Sequence, residues 1–507
     1  MDIFMDAFHG RKISLLQLLQ SENRFFTILE LSDVLSVTPI TVEKAVDSLI
    51  EDFQELSMPC TIIKNDEKIK KVKVNIGNTF SIEELKWCYM TNNFLFQALD
   101  DMFHRQFGDV KTYAEKNFTS LTMAYKKFSS METVLKSFDL KFNFSADFEL
   151  EGTETQIRYF YFNLYWSVYD GHYWPFQIEK ERLTSVVDEI EILQGRQLPL
   201  ARREFYYFFI GVSITRLIQG NYIYDIPIDV DSFVQYDFEA VRPFYDLLHY
   251  VLDESVDTEI FLNELSFLGL ISYAFEHQRH FPEKINFHRL RLINAMPDNI
   301  VFDSVNYFMR TLDENSSIRL KDGDYNDLYL NIVNLHTRIL FFKGEYKDFQ
   351  GINTRFLSKR LETFFSRFFD ELLIILRKNK RFSSIFEGNS NLANIYTMLF
   401  SSTLRLGEHI PSIKVGVVSL YGDRRIDYYR RVIQFCWFEE VEVTIDPDET
   451  VDLIVTDRNY DELSEKKCPI LVWNEQPSVR DIDRLTELLD SVLIYKVQER
   501  FWINFAN

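Results

Sequence analysis

Thr122, Lys126, Ser129 and Thr133 recur at helical spacing, with Lys127 and Ser130 beside them and Lys116 just upstream. From Lys116 to Met131 the chain holds no acid. Hydroxyls and lysines aligned on one helical face are the groups that reach phosphate oxygens and base edges, so this window is a candidate DNA-contacting surface. Lys71 and Lys73, alternating with Val72 and Val74, add cations to a strand and are a second candidate.

The histidines offer other chemistry. His277 and His280, with His288 beyond Pro282 and Glu276 or Glu283 nearby, could share a helical face as metal ligands, be ordinary surface or core side chains, or be regulatory. Their spacing is weakly specific, and no metal or cofactor is assigned. His336 lies in an apolar helix between Leu335 and Ile339, where a satisfied core histidine competes with a regulatory one. The run Lys321 to Asn326 begins like a calcium loop, but Asp327 replaces the turn glycine and Val333 the bidentate acid, so a polar interhelical loop is expected. No GxGxxG follows a strand, and neither GxxxxGK[ST] nor HExxH occurs; the chain is expected not to be an enzyme. Cys60, Cys88, Cys436 and Cys468 have no CxxC spacing and sit in apolar runs, as reduced core thiols of a cytoplasmic protein would.

Several elements must position these groups. Thr27 to Glu30 is a capping box, and Thr38 followed by Pro39 predicts an N-cap opening a helix with Val42, Ala45, Val46, Leu49, Ile50 and Phe53 on one face. A hairpin from Cys60 to Ile76 follows as a wing or as an ordinary solvated hairpin. The order then repeats: Ser81 opens a long helix, 109–118 a short one, and Ser120 caps a third with the stripe Leu121, Ala124, Tyr125, Phe128, Met131, Leu135 and Phe138. Leu140 to Leu150 alternates as a second wing. The candidate first helix exposes Glu43, Asp47, Glu51 and Asp52 against Lys44 alone, a poor face for phosphates. From 151 to 407 the pattern is helical, and Ile214-Thr215-Arg216 before Gly220 resembles His336-Thr337-Arg338 before Gly344, which suggests two copies of one helical module. After 407, short apolar strands alternate with helices, as in a parallel α/β sheet with helices on both faces.

Composition sets the frame. A chain of 507 residues predicts about three to five domains. With 46% apolar residues, 47 Phe, 16 Gly and 12 Pro, it should be compact and mainly α. The net charge of -21 disfavours a surface coated by polyanion or anionic lipid, yet residues 1–141 hold 17 Lys+Arg against 20 Asp+Glu while the rest hold 39 against 57. Any DNA should therefore dock at the N-terminal end. Asp2 and Asp6 do not suit a signal peptide, and no apolar run reaches the roughly 18 residues of a membrane span, so a cytoplasmic protein with no membrane partner is expected.

This order of parts resembles the Mga/AtxA-like virulence regulators of Gram-positive bacteria. The local likeness is Ser120 to Phe138 followed by Gly152-Thr153-Glu154-Thr155-Gln156-Ile157-Arg158-Tyr159-Phe160, similar to that family's second helix-turn-helix and the junction after it. The resemblance implies winged helix-turn-helix units over 1–77 and 78–150, helical-bundle regulatory modules of the phosphotransferase-system type (PRD-like) over 151–285 and 286–407, and an EIIB-like α/β domain over 408–507. It implies double-stranded DNA as partner, with RNA polymerase, the sugar-system phosphocarrier and a second copy in a homodimer as further ones. His336, His277 and His280 become candidate phosphate acceptors. An EIIB subunit carries its phosphocysteine after the first strand, where this chain has Ser419-Leu420-Tyr421-Gly422, so a silent domain is implied. Two other readings stay open: a phosphate-transfer component of the sugar system, or an interaction scaffold that no longer binds DNA.

Overall fold

The structure is a computed structural model, and it describes all residues except 1–3, 66–68, 144–148, 170, 172, 195–196, 225, 227–237, 253–256, 276–299, 317–319, 321, 345–358, 388–390, 404–411, 438–440, 446–449, 464–465 and 502–507. His277, His280 and His288 thus lie outside the described residues, as do the boundaries expected near 285 and 407. Contacts divide the chain into two units, Met1–Thr184 with Leu198–Asn221, and Ser185–Gln197 with Tyr222–Asn507.

The first unit opens with α1 (Ala7–Ser21), capped by the Asp6 carboxylate, which accepts from the backbone N–H groups of Phe8 and His9. A short β1 (Phe26–Thr27) leads into α2 (Ile28–Leu35), where Thr27 and Glu30 form the full capping box. Then comes α3 (Pro39–Glu55), with Thr38 at the N-cap and Pro39 in the first turn. The hairpin strands β2 (Cys60–Asn65) and β3 (Lys71–Ile76) are antiparallel, and β1 pairs with the other edge of β3. Leu15, Leu16, Leu31, Val42, Val46, Leu49 and Phe53 build the core beneath them.

The expected long helix after Ser81 is two helices, α4 (Ile82–Thr91) and α5 (Phe94–Phe103). Asn93 separates them because its side chain accepts from the N–H groups of Leu95 and Phe96 and so starts a new helix. Next come α6 (Val110–Lys116), α7 (Leu121–Ser137) and an antiparallel pair, β4 (Lys141–Asn143) with β5 (Glu149–Glu151). The tip of this second hairpin lies outside the described residues. Helices α3 and α7 are both 17 residues long and start 82 positions apart. The left-handed residues Ser36 and Phe118, and Ser57 and Asp139, keep the same offset of 82. The two segments are therefore one supersecondary plan used twice.

Behind β5, α8 (Glu154–Tyr169) is buried along most of its length and packs on the helix Leu200–Ile218. Gly211 on that second helix leaves room for the segment after α8, since a Cβ there would lie 2.6 Å from the Phe176 ring.

In the second unit, helices Ile300–Asn315, Asp322–Phe341, Lys359–Leu376 and Leu392–Thr403 pack as a four-helix core rich in Phe. The polar loop expected at Lys321 to Asn326 is instead the first turn of a helix beginning at Asp322. Leu328, Ile332 and Leu335 carry one apolar stripe into the bundle, and Asp322 and Asp324 suit a helix N-terminus. The Thr-Arg pairs at 215–216 and 337–338 are all buried, and each helix ends before a glycine of positive φ, Gly220 at 79° and Gly344 at 103°.

The C-terminal sheet is fully parallel, in the order β7 (Val441–Thr444), β6 (Ile413–Val418), β8 (Leu453–Thr456), β9 (Ile470–Val472). This is a doubly wound order. The long helices Asp423–Cys436 and Val479–Phe501 do not divide between the faces; they pack against each other and against β6. Ile454 on β8 is covered instead by Val451 and by Leu463 from a single 3₁₀ turn, Asp461–Leu463.

Candidate nucleic-acid interface

Helix α7 starts where Ser120 accepts from the Met123 N–H, and its buried stripe is Ala124, Phe128, Met131 and Leu135, with Phe138 closing the end. Phe128 lies between the Phe94, Phe107 and Phe142 rings at 5.4 to 5.9 Å, fixing the rotation of the helix. Thr122, Lys126, Ser129, Ser130 and Thr133 accordingly face solvent. Ser130 donates to the Lys127 carbonyl at 2.6 Å, so its hydroxyl hydrogen is already used within the helix.

Three expectations are corrected here. Leu121 and Tyr125, expected in the stripe, are 42% and 47% exposed. The core beneath α7 does not reach the first helical turn, and the equivalent positions of α3 hold Pro39 and Glu43. Lys127, expected at the groove, lies half-buried with its ammonium 4.4 Å from the centre of the Phe94 ring. It occupies the place of buried Ala45 in α3, so its charge is held by a ring face rather than presented outward. Lys116 stays exposed at the end of α6, with Asp101 3.6 Å away.

The segment that holds α3 differs in charge at matched positions. Where α7 has Tyr125, Ser129 and Thr133, α3 has Glu43, Asp47 and Glu51. Lys70 pairs with Glu43 at 2.7 Å, and Lys64 pairs with Asp47, so lysines of the first hairpin already neutralise this helix. Lys71 and Lys73 are half-buried on β3, the central strand of its sheet. At matched surface positions, Leu29, Val34 and Ile40 are 64%, 65% and 67% exposed, where the second copy of this plan has Lys111, Lys116 and Thr122.

The surface of α7 is itself polarised. Its C-terminal end borders a shallow groove lined by Glu132, Lys136, Asp139, Lys141 and Glu151, in which Lys141 pairs with Glu151 at 2.9 Å. The N-terminal half of α7 is free of acids, and the helix dipole there also favours anions. Behind it, Gln156 donates to the Phe138 carbonyl at 2.7 Å and so fastens α8 to the end of α7.

The other candidates fall elsewhere. His336 is fully buried, with Nδ1 2.8 Å from the Ser304 hydroxyl and Nε2 2.7 Å from the Tyr396 hydroxyl. Burial lowers its pKa to about 3, which holds the ring neutral. Both nitrogens are engaged, so the folded bundle does not offer His336 to a phosphate donor. Ser419, after β6, donates to Asp457 at 2.6 Å, and the same carboxylate accepts from the Leu420 N–H and the Tyr460 hydroxyl. An internal anion thus occupies the mouth of that loop. Cys60 is buried, which pushes its thiol up to about 11, and the other cysteines are half-buried with thiols also raised by burial. Among the described residues no cluster of His, Cys, Asp and Glu could hold a metal ion, and no helix is long and apolar enough to cross a membrane.

Residues 78–165, which contain α4 to α7, both hairpin strands and most of α8, match the Mga helix-turn-helix domain. The chain is similar to the capsule synthesis positive regulator AcpB of Bacillus anthracis, 27% identical over 211 residues that make up 41% of this chain and 42% of that protein. It is 26% identical to the anthrax toxin expression trans-acting positive regulator of Bacillus anthracis over 44% of this chain and 45% of that one. The capsule synthesis positive regulator AcpA of the same organism is 27% identical over 37% of each. The aligned stretches span less than half the length of these relatives. The matched domain, whose helix α7 is free of acids up to Met131, and these relatives together make the chain similar to the Mga/AtxA-like regulators.

Proposed function

We propose that this protein is a cytoplasmic, non-enzymatic regulator of transcription that binds double-stranded DNA through α7. The carrying observation is the contrast at matched positions: acids on α3, of which Glu43 and Asp47 already pair with lysines, against Tyr125, Ser129 and Thr133 around Lys126 on α7. Positive regulation, which the names of the three relatives state of those proteins, is the direction we propose. Binding of a duplex pool at several salt concentrations tests the reading. The wild type should show a steep slope, Lys126→Ala should flatten it by about 0.9 in log–log units, and Lys44→Ala should leave it unchanged. A loss with Lys44→Ala and none with Lys126→Ala would move the reader to α3.

The first two segments, 1–77 and 78–150, act in this reading as winged helix-turn-helix units. The helical modules over 151–285 and 286–407 act as phosphotransferase-type sensors, and the α/β domain over 408–507 acts as an EIIB-like self-association element that gives a homodimer. RNA polymerase is the partner through which bound regulator changes transcription. The phosphotransferase part rests on resemblance, and the burial of His336 directs it to His277 and His280. In the C-terminal domain, Phe435 is 91% exposed two turns from exposed Tyr428 on one helix, which supports an interface there. One set of samples tests both points. Treatment with the purified phosphocarrier system should give acid-labile label that survives His336→Ala but not the His277→Ala/His280→Ala double variant, and light scattering should show a lower mass for Phe435→Asp. An unlabelled wild type would end the sensor proposal, and an unchanged mass would end the proposed interface.

A further inference from the structure

Phe118 lies in the turn between α6 and α7 with its side chain wholly exposed, at 101% of its reference area, and its backbone at φ +50°. The turn is a Schellman motif, in which the Phe118 N–H donates to the Glu115 carbonyl at 3.2 Å and the Thr119 N–H to the Ala114 carbonyl at 2.9 Å. The segment before α3 builds the same turn with Ser36 at φ 53°, whose N–H donates to the Asp33 carbonyl while the Val37 N–H donates to that of Ser32. The turn therefore needs a left-handed residue at this place, a conformation that glycine, asparagine or a small side chain adopts with less strain than an aromatic one. A phenylalanine there is strained, and its exposed ring gains nothing from packing within the fold. Strain kept at an exposed position points outward, to a ligand surface.

The surroundings indicate which surface. Leu121, three residues on, is 42% exposed, and the exposed lysines Lys111, Lys116 and Lys126 lie on α6 and α7, the two helices this turn joins. An apolar centre in a cationic rim complements the major groove of A·T-rich DNA, where thymine 5-methyl groups lie between two phosphate rows. The patch is also continuous with the proposed phosphate-facing line of α7. We infer that Phe118, with Leu121 at the start of the helix that follows, reads thymine methyl groups at the edge of the DNA site. This inference rests on α7 being the DNA reader.

Uracil lacks only that methyl group, so it isolates the contact. The full-length protein is titrated with an A·T-rich duplex and with the same duplex carrying uracil in place of thymine, as wild type and as Phe118→Ser. Serine is the residue used at the equivalent turn between α2 and α3, which makes the variant compatible with the fold, and circular dichroism verifies that it is folded. The wild type should prefer the thymine duplex by roughly fourfold for each methyl contacted, the fold-change expected for burying one such group. Phe118→Ser should bind both duplexes equally and keep the wild-type salt slope. Equal binding of the two duplexes by the wild type, with a steep salt slope, would overturn the methyl contact and leave α7 as reader. Failure of the wild type to bind either duplex would overturn both. A variant that still discriminates like the wild type but has a lower mass in light scattering would overturn the contact and make Phe118 a self-association residue.

Discussion

Replacing Glu154 by alanine should destabilise the first unit by about 3 to 5 kcal/mol, the usual result of leaving a buried charge without its partner. Glu154 opens α8 directly behind the second hairpin. Its Oε1 accepts from Arg158 Nε at 2.9 Å and from Arg216 Nε at 3.0 Å, and its Oε2 accepts from an Arg216 terminal nitrogen at 2.7 Å. Arg158 is fully buried and also donates to the Asn221 carbonyl at 2.9 Å. One carboxylate therefore serves two guanidinium groups, Arg158 fully buried and Arg216 nearly so. Removing it takes a charged partner from both, whereas Glu154→Gln keeps an acceptor and should cost less. Replacing the carboxylate and both arginines together by apolar residues should recover much of the loss, because the desolvation penalty disappears with the charges. Urea unfolding of the full chain, followed by hydrogen exchange over 154–169 and 200–218, measures this. Because the triad seats α8, and α8 holds the end of α7 through Gln156, Glu154→Ala should also weaken DNA binding. A midpoint equal to that of the wild type would show that the triad is not a significant source of stability.

Acid should loosen the four-helix core of the second unit through His336. Its neighbours are the Ser304 and Tyr396 hydroxyls and the Phe308 and Phe386 rings, none of which titrates in mild acid. The folded-state pKa is lowered to about 3 by burial, while the unfolded chain keeps a value near 6.5. Between those values the unfolded state binds a proton that the folded state refuses, so stability rises with pH and falls as pH is lowered through 6.5. The slope approaches 1.36 kcal/mol per pH unit, or about 2.7 kcal/mol by pH 4.5. Carboxylates elsewhere add their own dependence, so the informative quantity is the difference between wild type and His336→Gln. That variant keeps hydrogen-bonding groups but has no titration in this range. Equal pH slopes for the two proteins, from thermal midpoints at pH 7.5 to 5, would rule out the effect. The same geometry means that a phosphate donor could reach His336 only after this bundle opened.

How much of this was legible in the sequence depended on the range of the interaction involved. Helix starts were legible because capping is local: Thr27 with Glu30, Thr38 before Pro39, and Ser120 all act within one turn. Asn93 would have shown the break between α4 and α5 by the same logic, since an asparagine before an apolar run is itself an N-cap signal. The acid-free window over α7 and the acids of α3 were also fully present in the sequence, because residue type alone carries charge.

Tertiary structure decided what those residues face. Periodicity placed Leu121 and Tyr125 on the apolar side of α7, but a stripe is buried only as far as the opposing surface extends, and the core beneath α7 ends at Ala124. The spacing of Lys127 allowed a groove position, and only the Phe94 ring, more than thirty residues earlier in the chain, shows that its charge is held inward. Lys12, which reads as an ordinary surface lysine, is buried against Asp52 and Ser48. Glu154 with Arg216, and His336 with Tyr396, likewise depend on partners 62 and 60 residues away. Local propensity and composition thus determined which elements form and where positive charge could meet DNA. Burial, and with it the protonation of His336 and the charge pairing of Glu154, arises from contacts between segments far apart in the chain, which no local pattern encodes.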